Sequence, residues 1–237
     1  MCAVPCLYAH GLPGGPSELD IAVLPGEWRP DILPPGQIAL DRHDRVTLVG
    51  FSIGAFTALK AAAQAPDRVA RLVLIAPAAP LELGDFLQGM AGAPVFRAAR
   101  AGALPFALMS GFQSLPLRTA PRAFLKMLFA GTSDSERTLV ETPQIAEALI
   151  RAYREALTGP GLPNYRATLH AYVRPWADTL DRVQTPVEIH QGTADTWVPP
   201  GMTEALAQRL GDNATLIRHP GLGHYGTLRA VLPTLAL

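Results

Sequence analysis

Charge is scarce in this chain. Charged residues make up 17% of its 237 positions, and 20 basic residues balance 20 acidic ones. A neutral chain carries no electrostatic footprint for nucleic acid or for an acidic partner. Neutrality also gives less protection against self-association, so a homodimer is an expectation. Cysteine is nearly absent. Cys2 and Cys6 are too few for a zinc site or a disulfide framework, and both read as reduced thiols, with Cys6 packed in a strand. Long apolar runs are missing as well: none reaches about 18 residues, which argues against membrane insertion. The first apolar run is short, has no basic lead and meets His10-Gly11 at once, so no signal peptide is expected. These absences together predict a soluble cytoplasmic protein. Hydrophobic residues, at 49%, are plentiful. That is a globular composition, with length for one domain or for a core domain carrying a sizeable insertion.

The apolar residues fall into alternating strands and helices. "AVPCLYAHG" reads as a buried strand ending in a glycine turn, and "DIAVLPG" (Asp20 to Gly26) as a second strand. A short helix is expected near Gln37 to Arg42. "RVTLVGF" is a β-branched run suited to a central parallel strand. It passes directly into "SIGAFTALKAAAQAP", where Ala55, Ala58, Leu59, Ala62 and Ala63 form a helical stripe that Pro66 ends. "DRVARLVLIAPAAP" is another buried strand. Strand, helix and strand at this spacing make a βαβ unit, hence a parallel sheet with helices on its faces. The alternation resumes with "TPVEIHQGTAD", "PPGMTEALAQRLG", "NATLIRHPGLGH" and "YGTLRAVLPTLAL". Between these halves, residues 81–182 are helical in pattern and lack a convincing strand. The predicted division is a core of 1–80 and 183–237 with a helical insertion at 81–182. The clearest helix of the insertion is "ETPQIAEALIRAYREAL", with Thr142 as its cap and Ile145, Leu149, Ala152 and Leu157 on one face.

Gly50-Phe51-Ser52-Ile53-Gly54 fits G-x-S-x-G and stands between a strand and a helix. Glycines there let backbone pack on backbone, and the sharp bend pushes the serine hydroxyl out above the sheet. The backbone N–H of Ile53 then sits at a helix N-terminus, where a developing oxyanion can bind. The bland alternative for Ser52 is a helix-capping serine. A serine nucleophile needs a base. His224, in the glycine-rich loop "HPGLGHYG", is the candidate, with His219 a competitor inside or at the end of a strand. Asp195 in "HQGTADTWVPP" is the candidate orienter of that base, against an Asx-turn reading; Glu82 and Asp85 are lesser sources of the acid. The loop "AHGLPGG" offers a second oxyanion donor at Leu12, with Gly11 freeing the backbone and His10 supporting the loop. His43, His170 and His190 read as surface or structural groups, and no metal site is expected.

Taken together, "HGLPGG", the stretch from Val46 to Ala78, "TPVEIHQGTADTWVPP" and "HPGLGHYG" resemble the α/β-hydrolase superfamily in its branch with a helical cap. The resemblance covers nearly the whole chain. It implies Ser52, Asp195 and His224 as the triad, Leu12 and Ile53 as oxyanion donors, and a site between core and cap that needs no cofactor. One departure stands out: members usually have two strands before the histidine-glycine loop, and His10 leaves no room for them. The first two family strands are therefore expected to be absent. "DIAVLPG" would then lie at the sheet edge, covered by "RPDILPPG" or a partner subunit. "HGLP" also fits the epoxide-hydrolase loop of the superfamily, but those enzymes use an aspartate nucleophile where Ser52 stands.

The expected activity is hydrolysis of a carboxylic ester or thioester of a small to medium, largely apolar acyl group. Acyl transfer, a cofactor-free perhydrolase or oxygenase, and a non-catalytic binding protein are the alternatives. No Asp or Glu occurs from Phe86 to Thr132, where Arg97, Arg100, Arg118, Arg122 and Lys126 alternate with Phe96, Phe106, Met109, Phe112, Phe124, Met127 and Phe129. One reading is an apolar acyl site with cationic help for an anionic substrate. The other is aromatics packed on the core and solvated arginines. Prolines and glycines in this stretch are expected to break any long helix.

Overall fold

The computed structural model describes residues 4–33, 40 and 45–236. Six strands form one sheet: β1 (Cys6–Ala9), β2 (Asp31–Ile32), β3 (Val46–Phe51), β4 (Val69–Ile75), β5 (Val187–Gly192) and β6 (Ala214–His219). Their order is β2-β1-β3-β4-β5-β6, and every neighbouring pair is parallel. The order reverses between β1 and β3, so the crevice at the carboxyl ends of those strands is where such a sheet binds ligands. Central strands β3 and β4 are buried nearly throughout, which is why they read as unbroken apolar runs. Helix α1 (Gly54–Gln64) packs on β3, and its alanine stripe, Ala55, Ala58 and Ala62, is fully buried. Small side chains there let the helix axis lie close to the sheet.

The edge of the sheet differs from expectation. Asp20 to Gly26 is not a strand; Pro16–Ile21 forms a 3-10 helix. Pro16 opens this turn, and Leu19, Ile21 and Ala22 are buried, with the turn packed against a helix from the middle of the chain. An aspartate inside the stretch, Asp20, pairs with Arg29 and, at 2.8 Å, with Arg151. The edge strand comes instead from the segment expected only to cover it. Asp31 and Ile32 pair with Leu7 and Tyr8, and the Leu33 N–H donates to the Tyr8 carbonyl. A two-residue edge presents little free backbone for pairing. No strand lies outside β2 among the described residues. The expected helix near Gln37 to Arg42, His43 and Cys2 lie outside the described residues, Leu40 excepted. Cys6 falls in β1, and burial pushes its thiol up to about 11, which makes it a packing group.

Between β4 and β5 the described chain is helical: α2 (Ala93–Ala101), α3 (Ala103–Thr119), α4 (Pro121–Phe129), α5 (Asp134–Glu141), α6 (Pro143–Leu157) and α7 (Gly161–Tyr172). Proline starts α4 and α6, at the position where a missing N–H costs nothing. The predicted apolar face of α6 is correct, with Ile145, Leu149, Ala152 and Leu157 all buried. Thr142 precedes that helix, but its side chain makes no capping hydrogen bond. The breakage expected around 103–119 does not occur. Helix α3 runs 17 residues through Gly111 and Pro116: Gly111 is a tolerated small residue on an exposed face, and Pro116, which forgoes one hydrogen bond to the preceding turn, comes only three residues before the helix ends. Two further helices close the fold: α8 (Pro200–Leu210), against β5 and β6, and α9 (His224–Val231), against β4 and β5. No helix among the described residues is long and apolar enough to cross a membrane.

Candidate active site

Ser52 follows the last residue of β3 and has φ of 54°, the left-handed region that side chains rarely adopt. Three hydrogen bonds hold it there. Its N–H donates to the Ile75 carbonyl at 3.0 Å, and its own carbonyl accepts from Ala55 (3.1 Å) and Ala78 (3.0 Å). Backbone strain over-determined by its surroundings is characteristic of functional positions. The crossing is close enough to need glycine at position 54. A Cβ there would meet the Ala9 carbonyl oxygen at 2.0 Å, and one at Gly50 would meet the Ala55 Cα at 2.8 Å. Ser52 is therefore a bend residue. Helix α1 begins two residues later, and no side chain caps it.

The loop after β1 lies beside this bend. A Cβ on Gly11 would sit 3.2 Å from the Ser52 Cβ. Among the described residues, no protein acceptor takes the N–H of Leu12 or of Ile53. Both residues line the cavity that contains Ser52. His10 is 7% exposed, and a ring nitrogen lies 2.9 Å from the Gly11 carbonyl. Burial lowers its pKa, so the neutral ring donates to that carbonyl and braces the loop.

The acid and the histidine meet at the other side of the cavity. Asp195 stands just beyond β5, and His224 is the first residue of α9. The His224 Nδ1 is 2.7 Å from the Asp195 Oδ2, with both side chains almost fully buried. The other Asp195 oxygen accepts from the N–H groups of Trp197 (2.8 Å) and Val198 (2.9 Å). This aspartate thus makes an Asx-type turn with one oxygen and contacts the His224 ring with the other. Phe51 packs at a tilt against the His224 ring with centroids 4.6 Å apart, which places the ring next to the Ser52 bend. Burial works to lower the His224 pKa. The Asp195 carboxylate, with Glu136 and Glu18 behind it, outweighs burial and raises it above the ordinary histidine value.

The competing residues go elsewhere. His219 ends β6, and its Nε2 lies 2.9 Å from the Nδ1 of His190, which in turn contacts Glu188 at 2.6 Å. That cluster is a structural one along the sheet. Glu82 accepts from the backbone N–H groups of Trp176 (2.5 Å) and Ala177 (2.6 Å), and Asp85 accepts from Gln88 at 2.7 Å. Neither is turned to the histidine. His170 packs edge-on to Phe106.

The cavity around Ser52 and His224 is walled chiefly by apolar groups from the helical segment, including Phe96, Met109, Phe112, Phe124 and Met127. None of the five basic residues of that stretch lines it. All five are exposed, and Arg122 pairs with Glu147 at 2.8 Å. The apolar half of the sequence reading applies to the cavity, and the cationic half does not.

Four polar residues near the site escaped the sequence reading. Glu18, 1% exposed, accepts from the Tyr8 hydroxyl at 2.5 Å and the Gly11 N–H at 3.0 Å. Burial pushes its carboxyl up to about 7 against the pull of those hydrogen bonds. Tyr153 and Tyr225 line the cavity, their hydroxyls 3.0 Å apart. Glu136 of α5 is fully buried and accepts from the Gly226 N–H at 3.0 Å. An acid in a short apolar stretch beside the glycine loop was the one available signal for Glu18. Tyr225 stands directly after His224 in "HPGLGHYG" without a pattern of its own to mark it, and Tyr153 and Glu136 arrive from elements distant in sequence.

A family model described as alpha/beta hydrolase fold matches residues 40–229. A pimeloyl-[acyl-carrier protein] methyl ester esterase from Aromatoleum aromaticum is 30% identical over 206 residues, 83% of this chain and 71% of the relative. A solved hydrolase from Oleispira antarctica superposes with a TM-score of 0.66 at 14% identity, covering 100% of this chain and 90% of its own. A thermophilic esterase from Thermogutta terrifontis gives 0.61 at 20% identity, covering 99% and 88%. At such identities the two structures speak for the fold alone. With most of its length matched by the family model and an esterase relative at 30% identity, the chain belongs to the α/β-hydrolase fold family.

Proposed function

We propose that this chain is a serine hydrolase that cleaves a carboxylic ester or thioester through an acyl-serine intermediate. The observation that carries the reading is the buried 2.7 Å His224–Asp195 contact on the same cavity as the left-handed Ser52. His224, held by Asp195 through Nδ1, takes the Ser52 hydroxyl proton at Nε2 as the serine oxygen attacks the substrate carbonyl. Negative charge gathers on the former carbonyl oxygen, where the N–H groups of Ile53 and Leu12 receive it. One such donor is typically worth about 10²–10³ in rate. The tetrahedral species collapses, and the alcohol or thiol leaves with the proton from His224. Water then attacks the acyl-serine with His224 again as base, releasing the acid and restoring Ser52. The Asp195 carboxylate offsets the imidazolium charge.

The apolar walls favour an acyl group of small to medium size without a charge deep in the cavity. In this reading residues 81–182 act as the cap over the site. The relative named for a methyl ester of an acyl carrier supports an ester with a small alcohol as leaving group.

A panel of p-nitrophenyl esters of graded chain length, with a thioester and an anilide, tests the proposal. Turnover should be found on at least one ester, depend on chain length and fall by about 10³-fold or more in Ser52→Ala without loss of fold. Wild-type turnover in Ser52→Ala on every good ester would exclude the mechanism. No turnover and no acyl-enzyme on any member would favour a binding protein that kept the scaffold.

A further inference from the structure

The helix that His224 opens lacks a cap of its own. Gly223, at the N-cap position, has no side chain to offer, and the first turn of α9 runs His224, Tyr225, Gly226. An N-cap oxygen normally accepts from the N–H of the second or third helical residue. Here that service comes from Glu136 of α5. Its Oε1 accepts from the Gly226 N–H at 3.0 Å; burial raises its pKa above the ordinary carboxylate range, while the Gly226 and Tyr225 N–H groups pull the other way by stabilising its charge. The fit is close: a Cβ on Gly223 would lie 2.2 Å from the Glu136 Cγ, so the carboxylate fills the space a side chain at 223 would take. The residue is fully buried, and its Oε2 has no hydrogen-bond partner. A carboxylate so desolvated is costly unless something nearby uses its charge.

We propose that Glu136 is a positioning residue for His224: from the helical segment it caps the helix that the histidine begins and fixes where the imidazole stands. This deepens the hydrolase reading, since the base it serves is that of the proposed mechanism. The titratable groups facing His224 are Asp195 from the loop after β5, Glu18 from the turn after β1, Glu136 from α5, Tyr225 from α9 itself and Tyr153 from α6. Of these, Glu136 is the carboxylate that comes from the helical segment, and it reaches the histidine's helix through the Gly226 N–H. The N-terminal end of α9 disfavours positive charge on its first residue, and a carboxylate over the same N–H groups counters that field. Catalysis needs the neutral base at the start of each cycle and the imidazolium in the transition state. Glu136 therefore shifts the histidine's working range upward and steadies the charged form when it appears.

Histidine-selective ¹⁵N NMR titration of the full chain reads His224 directly, with His224→Gln used to assign its signals. In Glu136→Gln the amide oxygen still accepts from Gly226 while the charge is gone. The His224 midpoint should fall by about half a pH unit or more, and the kcat/KM profile should move with it. The plateau rate should change less than about threefold, since a neutral acceptor keeps most of such a contact. Glu136→Ala removes the acceptor too, and its plateau should fall by about tenfold or more as the base loses its placement. A midpoint unchanged in Glu136→Gln, or a plateau unchanged in Glu136→Ala, overturns the proposal. If Glu136→Gln does not fold, Glu136→Asp replaces it. Keeping the charge on a shorter reach, it should hold the midpoint and lose plateau rate, and an intact plateau would again overturn the proposal. The titration needs no turnover, so it judges Glu136 even where a failure of Ser52 to label would defeat the hydrolase reading.

Discussion

Replacing Gly54 with alanine would put a methyl carbon 2.0 Å from the Ala9 carbonyl oxygen, 2.6 Å from the Ala9 carbonyl carbon and 2.7 Å from the His10 carbonyl oxygen. All three are backbone atoms, so no side chain can swing aside. Strand β1 is held on both sides, by β2 and β3, and α1 follows directly from the Ser52 bend. Relief therefore needs a shift of strand against helix by about 1 Å, and overpacking of this kind costs about 1–3 kcal/mol, more where nothing yields. Helix propensity pulls the other way, since alanine is favoured over glycine by up to about 1 kcal/mol. Because all three contacts are with backbone, the upper end of the cost applies, and about 3 less about 1 leaves a net loss of about 2 kcal/mol, a large share of the 5–15 kcal/mol typical of a folded chain. Gly111→Ala in α3 is the control, because a Cβ there meets nothing within 4 Å and only the propensity gain remains. Urea unfolding of both variants beside the parent reads the difference. A Gly54→Ala variant as stable as the parent would refute the argument, as would equal effects at the two positions.

The pH dependence follows from the charges around His224. The base works neutral, so kcat/KM should rise with pH and level off once the ring has lost its proton. Asp195, Glu136 and Glu18 hold that proton more tightly, so the midpoint should lie above the ordinary histidine value of about 6.5. A profile flat from about pH 5 to 9 would contradict the assignment of His224 as base. Asp195→Asn removes the largest of these charges and the tautomer control. It should move the midpoint down and cut kcat by about 10³–10⁴, measured on the same ester.

How much was legible depended on whether the cause was local. Strands β3 and β4 are buried on both faces, so their apolar runs announced them, and the Ser52 bend followed from glycines flanking a serine between strand and helix. Asp195 and His224 could be picked because each falls just after a strand at the carboxyl side of the sheet. The reading of Asp20 to Gly26 failed because Leu19, Ile21 and Ala22 are buried by α6, more than a hundred residues on, and short apolar stretches do not reveal which element covers them. Glu136 was invisible for a similar reason. Its partner is a backbone N–H at Gly226, and no spacing along the chain marks a carboxylate that caps another element's helix. The cationic role suggested for the arginines failed on geometry: residues adjacent in sequence to cavity walls point outward on the opposite faces of α2, α3 and α4.

The central claim is that Ser52 is a nucleophile activated by His224. Intact-mass and peptide-mass analysis after reaction with a fluorophosphonate probe tests it most directly. The account predicts a single adduct on Ser52, none in Ser52→Ala, and labelling slowed by about 10³-fold or more in His224→Ala. An adduct on another residue, or labelling that proceeds at the parent's rate without His224, would contradict it.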